Sequence, residues 1–101
     1  MEFKELQKGM INTAMSYGKE YHITIDEEFA LLKLQEEVGE LAQAVLIHRK
    51  KARPEKFLPE EKSKAEIGKE LADVVGMAVL SAHLMSIDLE KAIDEKWVNR
   101  K

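Results

Sequence analysis

The 101-residue chain contains no cysteine. This absence excludes disulfide bonds, a thiol nucleophile and a thiolate zinc site, and it is compatible with a reducing cytoplasm. The chain also has no uncharged run of membrane-spanning length, and charged residues interrupt its first ten positions. Neither a membrane span nor an N-terminal signal is therefore expected. From these features we expect a soluble cytoplasmic protein with no membrane partner.

An excess of positive charge is missing as well. The 16 Lys and Arg residues are balanced by 19 Asp and Glu, which gives a net charge of −3. Nonspecific binding to nucleic acid requires a concentrated positive surface, so no nucleic-acid partner is expected. A Gly-rich phosphate loop and an HExxH pair are also absent, which leaves P-loop and zinc-peptidase mechanisms without support. The histidines have no metal-ligand spacing and are interpreted as structural: His22, His48 and His83.

Proline is scarce, and the two prolines, Pro54 and Pro59, lie close together in one predicted loop. Elsewhere apolar residues recur every three or four positions, which is typical of amphipathic helices. The length fits one domain, residues 1–101. We expect an all-α, four-helix-bundle-like domain completed by oligomerisation. The predicted helices run from about Glu2 to Tyr21, Asp26 to Lys50, Glu60 to Ser86 and Leu89 to Arg100.

Two details define the predicted helices further. Thr24 and Glu27 have the spacing of a capping box, and Asp88 is a plausible N-cap of the fourth helix. The apolar stripe of the second helix is predicted at Leu31, Leu34, Val38, Leu41 and Val45, and that of the third at Ile67, Leu71, Val74, Ala78, Ala82 and Met85. Further apolar residues lie off these stripes and predict an association surface: Leu32, Leu46, Ile47 and Val79.

Two acidic clusters interrupt the apolar patterns of the two longest helices. Glu37 and Glu40 flank the second helix's stripe, and Glu70 and Asp73 flank the third's, whereas Glu36 faces away. Neighbouring like charges repel, so their retention beside a core suggests a bound cation. If the helices pack antiparallel with these flanks facing, the four acids form an all-oxygen cage of the kind preferred by Mg²⁺ or Mn²⁺. The alternative is a solvated surface in a protein that is 35% charged.

The segments EEVGELAQA, beginning at Glu36, and ELADV, beginning at Glu70, resemble the EExxE and ExxD signature of the MazG-like, all-α nucleoside triphosphate pyrophosphohydrolases. The resemblance extends from about Leu31 to Arg100. It implies cleavage of (d)NTPs to (d)NMPs and pyrophosphate, Mg²⁺ as cofactor, and a homodimer or homotetramer. It also implies metal binding by Glu37, Glu40, Glu70 and Asp73, and contact of the triphosphate with Lys96, Asn99 and Arg100.

The leading interpretation is a nucleotide-pool house-cleaning enzyme acting on (d)NTPs, with dNTPs preferred. One alternative within the superfamily is phosphoribosyl-ATP pyrophosphatase, and another is a non-catalytic helical interaction module. Lys33 is a further candidate phosphate contact, and Trp97 and Phe57 would either stack on a base or lie in a core or interface. Glu36 and Glu66 are spare acids that would act as a base or remain solvated.

Overall fold

The computed structural model describes residues 1–100, and over these residues the chain is all-α with no strand. The predicted all-α fold class is confirmed, with about 79% of the chain helical. A 3₁₀ turn at Pro54–Lys56 lies between α2 and α3, and a π-helical turn at Asp94–Val98 extends α4. The α-helices are α1 at Phe3–Tyr21, α2 at Glu27–His48, α3 at Glu60–Leu84 and α4 at Leu89–Ile93.

The helix ends show which local signals operate. Asp26 caps α2, since its side chain accepts a hydrogen bond from the Phe29 backbone N–H at 2.8 Å. The predicted capping box with Thr24 is therefore wrong, because α2 begins at Glu27 and the adjacent Asp26 reaches the free amides of the first turn. Asp88 caps α4 as predicted, by accepting from the Lys91 backbone N–H at 3.1 Å.

A tight corner joins α1 to α2. His22 ends α1 in the left-handed conformation, with φ 57°, and Ile23 N–H donates to the Gly18 carbonyl oxygen at 2.8 Å. Gly18 is buried against Ile25, and a Cβ atom there would collide with the Ile25 side chain and with the Ile23 carbonyl oxygen. Glycine is therefore required at position 18, because it lets the returning chain pack on the last turn of α1.

The helices α2 and α3 form an antiparallel hairpin. His48 near the end of α2 forms a hydrogen bond with Ser63 near the start of α3. Farther from the connecting loop, Glu37 of α2 lies next to Asp73 of α3. The Ser63 hydroxyl donates to the Glu60 carbonyl oxygen at 3.0 Å, so it accepts the bond from His48 Nδ1 at 2.6 Å. We call this contact the His48–Ser63 clasp. It closes the hairpin at its loop end.

The hairpin and α1 bury only a small apolar core, whose fully or nearly fully buried members are Ala30, Val79, Leu80 and Ala82. Part of the predicted stripes is wrong, because α2 and α3 are apolar on more than one face. On α2 the half-buried positions include Leu34 and Leu41, whereas three predicted core residues, Leu31, Val38 and Val45, are exposed. On α3, Leu71 and Met85 are exposed in the same way, and Val79, predicted to lie off the stripe, is buried.

The chain is open and flat for its size. Its accessible surface is 7921 Å², against about 5,800 Å² expected for a folded monomer of 11.6 kDa. Its radius of gyration is 15.8 Å, against about 13 Å for a compact domain of this length. Much apolar surface of α2, α3 and the C-terminal segment is therefore left uncovered within one chain.

No single helix among residues 1–100 is long and apolar enough to cross a membrane. The pair formed by Glu60–Leu84 and Leu89–Val98 passes the length and composition criteria only when taken together, and a bend of 118° separates its two members.

Candidate metal centre

The two acidic clusters meet across the α2–α3 hairpin. In each helix two acids lie three residues apart, which places them on one face, and the antiparallel pairing turns both faces toward each other. One carboxylate oxygen from each acid can be chosen so that all of them lie within 4.8 Å of one another. The structure thus brings together every acid predicted as a metal ligand: Glu37, Glu40, Glu70 and Asp73.

Their environment favours a positive ion. The Oε2 atoms of Glu37 and Glu70 are buried and have no hydrogen-bond partner. The pKa of Glu37 is raised to about 7, mainly by burial and in addition by the charges of Glu40 and Asp73. Burial is also the main cause that raises the pKa of Glu70, followed by the charge of Glu40. No Lys or Arg pairs with these four acids among the ion pairs of residues 1–100.

These residues fit a hard divalent cation. The donor set consists only of carboxylate oxygens, which is the chemistry that Mg²⁺ and Mn²⁺ select. Two buried oxygens without partners are costly in the metal-free protein, and a cation would supply the missing interaction. The arrangement can therefore hold a metal ion between α2 and α3.

A cavity of about 590 Å³ adjoins the acids. It lies between α1 and the hairpin, and Glu37 and Asp73 belong to its wall, so the cavity and the acidic cluster are continuous. Its volume is within the range of small-molecule sites. Most of the wall is apolar, and the aromatic rings of Tyr17 and Phe29 contribute to it, together with the Thr13 hydroxyl. The sequence interpretation missed Thr13 and Tyr17 of α1 and Phe29 of α2 as site residues, because nothing in their spacing shows where α1 docks on the hairpin.

The remaining candidates lie elsewhere in the chain. The predicted triphosphate contacts, Lys96, Asn99 and Arg100, do not line this cavity, and Asn99 Nδ2 donates to Asp94 Oδ1. Trp97 is 76% exposed on the same segment. The C-terminal candidates thus lie outside the cavity that Glu37 and Asp73 line.

The two spare acids, Glu36 and Glu66, each form an ion pair with a lysine. Glu36 accepts a hydrogen bond from Lys33 Nζ at 2.7 Å, and Glu66 accepts one from Lys69 Nζ at 3.2 Å. The bond to Glu36 is the main cause that raises the pKa of Lys33, so this lysine is cationic at neutral pH. Of the lysines in these two pairs, only Lys33 lines the cavity.

An all-α hairpin that presents four facing carboxylates beside a small-molecule cavity defines a helical protein with a candidate metal centre. The comparison with family models gives the particular family: the MazG nucleotide pyrophosphohydrolase domain matches residues 14–101. The chain therefore belongs to this family, whose members are metal-dependent hydrolases with nucleotide substrates. The searches of curated proteins and of solved structures gave no significant match.

Proposed function

We propose that this protein is a Mg²⁺-dependent nucleoside triphosphate pyrophosphohydrolase. It would cleave (d)NTPs, with dNTPs preferred, to the monophosphate and pyrophosphate, and so remove excess or noncanonical nucleotides in the cytoplasm. One observation carries the proposal: the convergence of Glu37, Glu40, Glu70 and Asp73 beside a cavity of nucleoside-accepting size. The family match independently points to a nucleotide pyrophosphohydrolase.

In this proposal the four acids hold the metal, with Mn²⁺ as the possible substitute for Mg²⁺. A bound ion supplies neutralisation of phosphate oxygens and a lower pKa for a bound water. The chain itself must keep Glu37 and Glu70 ionised in a partly desolvated place, which is the state that the ion stabilises. Since Glu36 and Glu66 are each paired with a lysine, neither is assigned as the general base.

The nucleoside end of the substrate would lie in the cavity. Its apolar wall excludes water, and the rings of Tyr17 and Phe29 offer flat surfaces for a base. The Thr13 hydroxyl is available as a hydrogen-bonding group. Because Glu37 and Asp73 are part of the wall, a nucleoside bound here would have its phosphates directed to the acids.

We further propose that the protein works as a homodimer or homotetramer. The support is the uncovered apolar surface, which includes Leu31, Leu32 and Leu46, and the accessible area, which exceeds that of a compact monomer by roughly 2,000 Å². In such an assembly Lys96, Asn99 and Arg100 would bind the triphosphate in another copy of the chain, since they lie outside the cavity of their own.

The proposal is tested by incubating the purified protein with each canonical NTP and dNTP, with Mg²⁺ or with EDTA, and by identifying the products. We expect metal-dependent release of monophosphate and pyrophosphate, lost in Glu40→Ala and in Asp73→Ala. Glu61→Ala is the matched control, because Glu61 is an exposed acid of α3 outside the cluster. Turnover of phosphoribosyl-ATP alone would select the biosynthetic alternative, and no turnover of any nucleotide would leave a binding role.

A further inference from the structure

Lys33 places a positive charge at the edge of the acidic cluster. It lies on α2 four residues before Glu37, a spacing that puts the two side chains next to each other on one helix face. It lines the cavity that Glu37 and Asp73 also line, and it is the only Lys or Arg in that wall among residues 1–100. The positively charged Lys33 therefore lies in the same cavity wall as two of the four acids.

Lys33 forms one hydrogen bond with Glu36 and keeps free donors on its ammonium group. The Nζ to Oε1 distance is 2.7 Å, and the Lys33 side chain is 32% exposed against 55% for Glu36. An ammonium group has three N–H donors, so two remain for another ligand. Exposed ion pairs of this kind contribute at most about 1 kcal/mol to stability, so the pair does little for the fold itself.

We propose that Lys33 is a substrate-binding residue that contacts the triphosphate, and that Glu36 positions it. This inference rests on the proposed function. The incoming triphosphate is an anion, and it approaches a cluster that presents four acidic side chains, which repel it. Lys33 offsets part of this repulsion and donates charge-assisted hydrogen bonds to phosphate oxygens. It does so within the same chain, unlike the C-terminal basic residues.

Lys69 supplies a matched control. It forms the same kind of pair, with Glu66 three residues earlier at 3.2 Å, on the facing helix α3. It does not line the cavity. Lys33→Met and Lys69→Met each remove one lysine charge from a pair with a glutamate three residues away, and only the first removes a charge from the cavity wall.

The experiment measures KM and kcat for a dNTP at saturating Mg²⁺, product inhibition by pyrophosphate, and calorimetric binding of inorganic tripolyphosphate with Mg²⁺. In Lys33→Met we expect KM and the tripolyphosphate Kd to rise about ten- to hundredfold, with weaker pyrophosphate inhibition and kcat within about threefold of wild type. Lys33→Arg should recover most of the affinity. Lys69→Met should behave as wild type in every measurement.

The positioning role of Glu36 has its own readout. Glu36→Gln should raise KM a few fold with kcat unchanged, and it should have no further effect in a Lys33→Met background. Equal KM and Kd values in Lys33→Met and Lys69→Met would overturn the inference. The proposed function would fail if wild type turned over no nucleotide. The role of Lys33 would be rejected separately if tripolyphosphate did not bind, or if it bound equally well to Lys33→Met.

Discussion

Replacing Glu37 with glutamine should stabilise the metal-free protein while destroying its response to metal. The Glu37 carboxylate is held among three other acids, and its Oε2 atom is buried without a partner. Glutamine has nearly the same shape and no charge, so it removes both the repulsion and the cost of burying an ion. The same change removes one of the carboxylates that would bind the cation in the proposed function.

The expected magnitude follows from the pKa of Glu37. Its rise from 4.5 to about 7 corresponds to at most about 3 kcal/mol of unfavourable free energy for the ionised form in the fold. The cluster is partly open to solvent, which screens these interactions, so we expect about 1 kcal/mol in practice. For a domain of this size that is a rise of about 4–8 °C in Tm.

The sign of the pH dependence is fixed by the direction of the shift. The pKa of Glu37 is higher in the folded protein than the ordinary value of 4.5, so the fold favours the protonated carboxyl group. The contribution of Glu37 to the free energy of unfolding is therefore fully present below pH 4.5 and is lost as the pH rises through about 7. The Tm difference between Glu37→Gln and wild type should therefore be largest near pH 8 and shrink toward pH 5. Metal binding needs the ionised form, so Mg²⁺ should raise the Tm of wild type more at pH 8 than at pH 5.

The assay is thermal unfolding in EDTA and in Mg²⁺, at one protein concentration because association also affects Tm. Glu36→Gln serves as the control, since Glu36 is exposed and paired with Lys33, and its loss should not raise Tm. A Glu37→Gln variant that is no more stable than wild type at pH 8 in EDTA would refute the account of the cluster as a site of unrelieved repulsion.

Three further predictions concern the cavity, the clasp and the surface. Gly76→Ala should raise Tm, because alanine favours a helix and a Cβ atom there meets nothing within 4 Å. It should also raise KM for purine nucleotides, because the added methyl group narrows the cavity. Gly68→Ala, on the same helix but outside the cavity, should raise Tm and leave KM unchanged. Ser63→Ala should cost about 1–2 kcal/mol in denaturant unfolding, since Ser63 is buried and His48 loses its acceptor. Leu31→Glu, at a 55% exposed leucine, should lower the molar mass found by light scattering, and an unchanged mass would place any interface elsewhere.

The sequence predicts the helices well because their signals are local. Apolar spacing and the two prolines place α1, α2 and α3 within two residues of their observed ends. The fourth helix was predicted to continue to Arg100, but it changes to a π-helical turn after Ile93. The predicted capping box of Thr24 and Glu27 was wrong because Asp26 is also a good cap and lies directly before the first residue of α2.

Which face of a helix packs inward is less predictable. Leu31, Val38 and Val45 recur every seven residues as a core stripe does, yet they lie on a face that nothing covers within one chain. The spacing of apolar residues is the same whether a helix face packs against its own chain or against another copy of it. The four acids converge as predicted because their i, i+3 spacing and the antiparallel hairpin leave little freedom, whereas the cavity depends on the docking of α1, which no local signal records.

The His48–Ser63 clasp has a consequence for how this chain can vary in length. It joins α2 to α3 before the intervening loop begins, so the register of the two helices is set without the loop's help. Residues between Arg49 and Pro59 could then be added or removed while Glu37, Glu40, Glu70 and Asp73 keep their mutual distances. The loop between the two clasp residues is thus free to diverge in sequence and size, and a new loop can be introduced there without rebuilding the acidic cluster.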